Sequence, residues 1–126
     1  MLNLKKSDMR LENIKFKAKT LHDGMWIEGD LKHLASGGVA IEGKHCIMEV
    51  DPSTVCQYTG LRDKNGKEVW ENDELLVNHY FGRFIGAVTF EKGCFYIVSD
   101  YSKAELNKVD CISIVQCSKF DKEVKK

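Results

Sequence analysis

The chain of 126 residues carries 19 basic and 19 acidic side chains, so its formal net charge is zero. Its length is typical of one domain or two small modules, and 43% hydrophobic residues are enough for a core without disulfide or metal support. Zero net charge argues against a protein that binds nucleic acid mainly by releasing counterions.

The cysteines and the N-terminal residues predict a protein of the cytoplasm. The first residues, MLNLKKSDMRLE, have a basic pair with no apolar run behind it, which is not the pattern of a signal peptide. No segment approaches the roughly 18 consecutive apolar residues of a membrane span. The five cysteines include no Cys-x-x-Cys pair, and an odd number of this kind is typical of reduced thiols.

The first half of the chain has the patterns of short strands separated by turns. Residues 1–12 are polar and charged and are predicted to form a flexible extension. Apolar and polar residues alternate over 14–20, which is the period of a half-buried strand. A turn follows at 22–24, and the strand predicted at 25–27 is expected to break at Glu28-Gly29-Asp30. Further strands are predicted at 39–41, 46–50, 55–61 and 68–70.

The most strongly specified turn lies at 63–67, where the sequence is Asp-Lys-Asn-Gly-Lys. Asn-Gly between two extended runs is the strongest short-range signal for a hairpin, because both residues tolerate a positive φ. We expect Asp63 to cap this turn, and Gly60 and Gly66 to supply backbone angles that other residues adopt poorly.

The second half predicts an antiparallel meander. Its strands are expected at 75–81, 84–91 and 94–100, with two-residue links at Gly82-Arg83 and Lys92-Gly93. A helical turn at 103–107, a strand at 109–117 and a charged tail at 119–126 follow. The predicted fold class is all-β, a small barrel-like fold of about eight short, mainly antiparallel strands. Residues 13–118 would form one domain, or two small β-modules with a break near 35–50.

Residues 50–73 carry the most specific pattern of the chain. The run VDPSTVCQYTGLRDKNGKEVWEND resembles the signature of the YopX family, small proteins encoded by bacteriophages and prophages. Weaker similarity at 14–18, 24–31 and 86–95 extends the resemblance over about residues 13–100. The motif residues, which we take as structural, are Gln57, Thr59, Gly60, Leu61, Asp63, Asn65, Gly66, Trp70, Glu71 and Asp73.

The resemblance implies a mostly β fold, an origin in a mobile element of a bacterial host, and self-association, and it implies no chemistry. The chain departs from the family pattern at Asn72 and Cys56, where the family usually has Gly, and in a C-terminal segment that lacks the usual ending. Because Asn tolerates left-handed angles well, we expect the turn at Asn72 to keep its geometry. The pairing of the last strand stays open.

Two acidic steps, Glu28/Asp30 and Glu71/Asp73/Glu74, are the main candidates for chemistry. Such carboxylates could hold a divalent cation or form the acid–base pair of a hydrolase, but acidic turns between strands are ordinary solvated surfaces. The four histidines show no metal-ligand spacing, and the cysteines form no close pair. We therefore predict no catalytic, cofactor-binding or metal-binding residue.

No glycine-rich phosphate loop or nucleophile-elbow motif occurs, so the chain is predicted not to be an enzyme. The leading hypothesis is a phage or prophage accessory protein that binds a phage or host protein or associates with itself. Self-association is expected through open strand edges, with the strand at 14–18 as the element that docks or exchanges.

The alternative hypothesis is a small barrel that binds single-stranded nucleic acid through its aromatic meander. Exposed aromatic side chains and cations on a curved sheet can stack bases. The same aromatics could instead be core and strand-pair residues. The residues concerned are Tyr80, Phe81, Phe84, Phe90, Phe95 and Tyr96, beside Arg83, Lys92 and Lys103.

Overall fold

The computed structural model describes residues 11–80, 82–100 and 102–121. Within these ranges the chain consists mainly of strands with one short helix, so the predicted all-β class is confirmed. Of the predicted N-terminal extension, Leu11 and Glu12 belong to a 3-10 turn (Leu11–Asn13), and the first residues of the predicted tail form another (Lys119–Asp121). The remaining residues of both predicted segments lie outside the described part.

Eleven strands are present in the described ranges, in two antiparallel sheets. The first sheet contains β1 (Phe16–Lys19), β2 (Trp26–His33), β3 (Val39–Glu42), β4 (Ile47–Val50), β5 (Cys56–Arg62) and β6 (Glu68–Trp70). The second contains β7 (Asp73–His79), β8 (Gly82–Glu91), β9 (Cys94–Val98), β10 (Lys103–Glu105) and β11 (Ser113–Ser118), with the helix α1 (Leu106–Val109) between its last two strands.

The strand orders are β4-β3-β2-β1-β5-β6 and β10-β9-β8-β7-β11. The prediction of one barrel-like sheet of about eight strands is therefore not confirmed, since the described strands form two sheets and no closed barrel. The strand at 14–18, expected to dock or exchange in self-association, contains the first residues of β1. β1 pairs with β2 on one side and with the first residues of β5 on the other, so its backbone hydrogen bonds are already made.

The chain divides into two compact units, one ending at Tyr58 and the other beginning at Thr59. In the first unit, β1 to β4 follow one another as an antiparallel meander, and an isolated bridge joins Thr20 to Val50. The core of this unit consists of Ala18, Ile41 and Val50, which are almost fully buried. The alternation predicted for 14–20 is present, because Ala18 points inward from β1 between the half-buried lysines 17 and 19.

Strand β2 continues through Glu28-Gly29-Asp30, so the predicted break is wrong. Gly29 pairs with Phe16 of β1, and it lies so close to β3 that a Cβ at this position would come within 2.0 Å of the carbonyl oxygen of Glu42. A glycine that a sequence pattern marks as a turn is here the residue that permits close approach of two backbones.

The second unit has its own core beneath the sheet of β7 to β11. One face of this sheet and the helix α1 enclose seven buried apolar side chains. They are Val69, Leu75, Val77, Val88, Ile97, Leu106 and Val109. Alternation along the strands explains which of their residues are buried. Leu75 and Val77, for example, lie two residues apart on β7 and therefore point to the same face.

The predicted meander is present in β7, β8 and β9, and its link at Lys92-Gly93 is confirmed, with both residues at positive φ (49° and 82°). The link predicted at Gly82-Arg83 is wrong, because both residues belong to β8 and His79 pairs with Gly82. The helical turn lies at Leu106–Val109, and the residues at 103–105, predicted as its start, form β10.

Candidate functional site

Three aliphatic side chains form a continuous row on the face of the second sheet that points away from its core. In the register of the sheet, Ile114 of β11 lies opposite Leu76 of β7, and Leu76 lies opposite Ile85 of β8. Ile114 and Leu76 are half-buried, and Ile85 is 56% exposed. We call these three residues the aliphatic row. Directly opposed side chains in neighbouring strands are in contact distance, so the row is one continuous apolar surface.

The aliphatic row was not found by sequence reasoning, although a signal for it exists. Ile85, Leu76 and Ile114 occupy the alternate positions of strands whose other positions carry the core. A strand with apolar residues on both faces is typical of a sheet that is covered on both sides.

A cleft of about 430 Å³ lies at the margin of the second core. The apolar part of its wall is formed by Phe84, Ala104 and Val109. Val109 belongs to the core, and the other two pack against it. The polar part of the wall is formed by His79, Arg83, Ser102 and Lys103. We call this the end cleft, because it lies where β7 ends, β8 begins and β10 begins.

Two of the residues that line the end cleft, Arg83 and Lys103, are cationic. The ammonium of Lys103 pairs with the carboxylate of Glu91 and lies 4.6 Å from the centre of the Tyr96 ring. The Glu91 carboxylate, as acceptor of a hydrogen bond from Lys103, raises the pKa of this ammonium above its ordinary value. Arg83 is exposed at the start of β8. The Lys103 charge is therefore balanced by Glu91, at the end of β8 opposite the end cleft, and Arg83 supplies the positive charge of the cleft wall.

The aromatic side chains of the meander do not form one exposed track. Phe84 and Phe95 pack against the core, and Tyr96 is half-buried, whereas Tyr80 is 86% exposed and Phe90 is 47% exposed. Tyr80 lies in the turn that precedes β8, whereas Phe90 lies near the other end of that strand, roughly 27 Å from Gly82 along the extended chain. Phe81, which belonged to the predicted set, lies outside the described residues. The exposed aromatic surface next to the end cleft is the pair His79–Tyr80, whose rings stack 4.7 Å apart.

The hairpin of the motif is held by the buried carboxylate of Asp63. Its Oδ1 accepts hydrogen bonds from the backbone N–H groups of Asn65 and Lys67, both at 2.8 Å, and Gly66 has a φ of 84°. Its Oδ2 accepts from the backbone N–H of Val115 at 2.9 Å. Burial acts to raise the pKa of Asp63, but the N–H donors of Val115, Lys67 and Asn65 outweigh it and hold this pKa below its ordinary value.

The same hairpin covers the free edge of β11. The backbone N–H of Lys64 donates to the carbonyl of Ser113 at 2.9 Å, next to the bond between Asp63 and Val115. Two backbone groups of β11 that point away from β7 are thereby paired, and this part of the edge offers no template for another strand. The structure answers the question that the sequence left open about the last strand, since β11 pairs with β7 and is capped by the hairpin.

The second part of the motif is a turn between β6 and β7. The carboxylate of Asp73, which is 3% exposed, accepts from the backbone N–H of Trp70 at 2.9 Å, and Asn72 has a φ of 73°. Asn72 thus keeps the left-handed geometry that its substitution for Gly was expected to keep. Glu71, between them, is half-buried.

The remaining motif residues lie in β5. Thr59 accepts at its Oγ1 from the N–H of Leu61 and donates to the carbonyl of Val69 at 2.6 Å. Gly60 has a φ of 83°, and Leu61 packs against the second core. Gln57 pairs with Phe16 of β1 in the first unit. The motif therefore builds turns and strand pairings, and its two buried aspartates bind backbone N–H groups.

The first acidic step, Glu28 and Asp30, is exposed to solvent. Glu28 forms an ion pair with Lys15 at 3.5 Å, and Asp30 is exposed on β2. In the described ranges no three His, Cys, Asp or Glu side chains lie close enough together to hold a metal ion. All five cysteines are free thiols, and no helix in the described part is long and apolar enough to cross a membrane.

Comparison with known proteins identifies the motif. The family model described as "YopX protein" matches residues 4–121. The chain belongs to the YopX family. No curated protein sequence matches the chain.

The YopX match covers nearly the whole chain, well beyond the 13–100 range of the resemblance. The aliphatic row and the end cleft lie within the matched residues, as does most of each unit. The row and the cleft are therefore features of the YopX domain of this chain and not of an appended segment.

Proposed function

We propose that this YopX-family chain is a phage or prophage accessory protein that acts without catalysis, by associating with a second copy of itself through the aliphatic row. The observation that carries the proposal is the exposure of Ile85, which is 56% exposed in the middle of β8 and is continuous with Leu76 and Ile114. A contiguous apolar surface on a soluble domain is characteristic of a site that another protein covers.

A second copy fits this surface because the row carries no charge. Two copies related by a twofold axis through the row would place aliphatic side chains against aliphatic side chains, which is the self-complementary contact of an isologous dimer. The formal net charge of zero means that two copies do not repel each other over long distances. Another phage or host protein with an apolar surface would bind by the same contact.

The bacterial cytoplasm is the compartment we propose, and the five free thiols support it, since reduced cysteines are typical there. The absence of catalysis is supported by what the buried acids of the described part do. Asp63 and Asp73 both accept hydrogen bonds from backbone N–H groups, and this leaves them poorly placed as general bases.

Size-exclusion chromatography with light scattering, over micromolar to sub-millimolar concentrations, tests the self-association. The wild-type chain is expected to reach the mass of a dimer as concentration rises. Ile85→Lys should weaken the dimer about thirtyfold, because an apolar side chain worth about 1 kcal/mol on burial is lost from each of two copies. Leu21→Lys is the matched control, since Leu21 is 58% exposed and lies in the first unit.

Three results would contradict the proposal. One is a monomer at every concentration. Another is a dimer that Leu21→Lys weakens as much as Ile85→Lys does. A dimer that neither variant weakens would place the contact elsewhere and remove the aliphatic row from the mechanism.

A second candidate function is the binding of single-stranded nucleic acid, and the exposure of Tyr80 favours it. Tyr80 is 86% exposed and stacks on His79, which lines the end cleft together with Arg83. Base stacking on an aromatic side chain is worth about 1–3 kcal/mol per base. The candidate is confined to this end of the meander, because Phe90 lies at the far end of β8.

Fluorescence anisotropy with a labelled oligothymidylate at low salt tests the second candidate. Tyr80→Ala should weaken binding about fivefold or more, the factor that corresponds to about 1 kcal/mol. Phe90→Ala, at the opposite end of β8, should leave it unchanged. Absence of binding by the wild-type chain at low salt, where electrostatic attraction is strongest, would eliminate this function.

A further inference from the structure

The aliphatic row has charges of opposite sign on its two sides. In the register of β7 and β8, Glu74 lies opposite Ala87 on one side of the row, and Asn78 lies opposite Arg83 on the other. Each of these four residues is two positions from a member of the row in its own strand, so all four share the face of the row. The surface around the row is therefore acidic on one side and basic on the other.

We propose that, in the self-association through the aliphatic row on which this inference rests, Arg83 of each copy pairs with Glu74 of the other. The twofold axis then runs along the row, and β8 of the second copy lies over β8 of the first in the opposite direction. The dimer contains two such ion pairs, one on each side of the row, and they fix the orientation of the second copy.

Rotation about an axis along the row brings unlike charges together because it exchanges the two sides of the row. Arg83 of one copy then lies over Ala87 of the other, where the small side chain leaves room for it. The residue opposite Ala87 on β7 is Glu74, one strand spacing of about 4.8 Å away. Sheets that pack face to face lie about 10 Å apart, so an arginine of one sheet reaches a carboxylate on the neighbouring strand of the other.

The second twofold axis that lies in the plane of the contact runs parallel to the strands, and the charges disfavour it. Rotation about this axis leaves each side of the row on its own side. The Arg83 residues of the two copies would then lie next to each other, and so would the Glu74 residues. Like charges that meet across an interface weaken binding, whereas opposite charges select one orientation.

Arg83 and Glu74 of the same chain are too far apart to form this pair. Arg83 lies opposite Asn78, which is four positions from Glu74 on β7, a distance of about 13 Å along the strand. A carboxylate accepts hydrogen bonds from several donors, and a guanidinium has about five N–H groups. Each group can therefore bind a partner in the second copy in addition to its contacts within its own chain.

Charge reversal, measured by size-exclusion chromatography with light scattering at low salt, tests the proposal. Arg83→Glu and Glu74→Arg should each weaken the dimer at least about tenfold, because each turns two attractive contacts into two repulsive ones. The double variant Arg83→Glu/Glu74→Arg should return to within about threefold of wild type. Lys108→Glu makes the same change of charge on α1, at the core face of the sheet, and should dimerise as the wild-type chain does.

An equimolar mixture of the two single variants gives a second reading. At a concentration where the wild-type chain is dimeric, each variant alone should be a monomer and their mixture a dimer. In the mixed dimer, the carboxylate introduced at position 83 meets the guanidinium introduced at position 74, and the native Arg83 meets the native Glu74. Association in the mixture also shows that both variants are folded.

The orientation is overturned if the double variant and the mixture stay monomeric while the wild-type chain forms a dimer that Ile85→Lys weakens. That result would keep self-association through the row and remove only the ion pairs. Tighter association of Arg83→Glu with the wild-type chain than of the wild-type chain with itself would also overturn it, and would assign the axis parallel to the strands. A wild-type chain that is monomeric at every concentration removes both the self-association and these ion pairs.

Discussion

Replacing Asp63 by Asn tests the mechanism that holds the motif hairpin to the last strand. Asn keeps the size of the side chain and an oxygen that can accept from Asn65 and Lys67. It replaces the second oxygen by an NH₂ group, which would point a donor at the N–H of Val115, now 2.9 Å from Oδ2. The variant therefore removes one hydrogen bond to a buried charge and leaves a backbone donor without an acceptor.

The expected loss of stability follows from the bonds that change. A hydrogen bond to a charged group contributes about 1.5–3 kcal/mol, and an unsatisfied buried donor costs a similar amount. Asp63 is 6% exposed, so water cannot readily replace the lost partner. We expect the free energy of unfolding of the second unit to fall by about 2–3 kcal/mol at pH 7.

Urea denaturation followed by tryptophan fluorescence measures this loss in the unit concerned. The chain has one tryptophan in each unit, and a Trp26→Phe background leaves Trp70, which is 4% exposed in the second unit, as the reporter. Asp100→Asn, at an exposed position, is the control and should change stability by less than about 0.5 kcal/mol.

The pH dependence gives the reasoning a second, independent check. The pKa of Asp63 is lower in the folded protein than the ordinary value of 3.8, so its charge stabilises the fold above that value. This stabilisation is lost as the pH falls through the folded-state pKa, whereas Asn does not titrate. The difference between wild type and Asp63→Asn should therefore be constant from neutral pH to about 4 and should narrow at lower pH. A variant as stable as wild type at pH 7, or a difference that is undiminished in strong acid, would refute the assignment.

Three further predictions concern the backbone and the absence of a metal. Gly66→Val should cost more than about 1 kcal/mol through its positive φ alone, because a Cβ there meets no atom within 4 Å; an unchanged melting midpoint would remove the turn assignment. Gly29→Ala should cost more than about 2 kcal/mol in urea denaturation, since its Cβ would lie 2.0 Å from a backbone oxygen, and a tolerated alanine would contradict the β2–β3 register. EDTA should leave the melting temperature unchanged, and a drop of several degrees reversed by zinc or calcium would show a metal site.

Local sequence was sufficient for the turns and for most strands. The hairpin at 63–67 and the link at Lys92-Gly93 are encoded in two or three adjacent residues that tolerate a positive φ. Alternation of apolar and polar residues marked β1, because one of its faces is buried. The link between β7 and β8 was predicted at Gly82-Arg83 because glycine is common in turns, but Gly82 lies in β8.

The motif also makes contacts that its local sequence does not predict. From the sequence, Asp63 could be expected to cap its own turn, and its Oδ1 does so. That its Oδ2 binds Val115, 52 residues away, has no local signal, because the contact depends on which strands pair. The same holds for Gly29, whose role is set by the approach of β3.

The sequence by itself determined that this chain is all-β, that it carries the YopX motif and that its turns lie where glycine and asparagine permit them. Only the tertiary structure decided that the strands form two sheets, that β1 has strand partners on both sides, that Ile85 is exposed while Phe84 packs inward, and that Arg83 and Lys103 line one cleft. The physical reason is the range of the interactions. Backbone angles and side-chain alternation are properties of neighbouring residues, whereas strand pairing and burial depend on contacts between residues far apart in the chain.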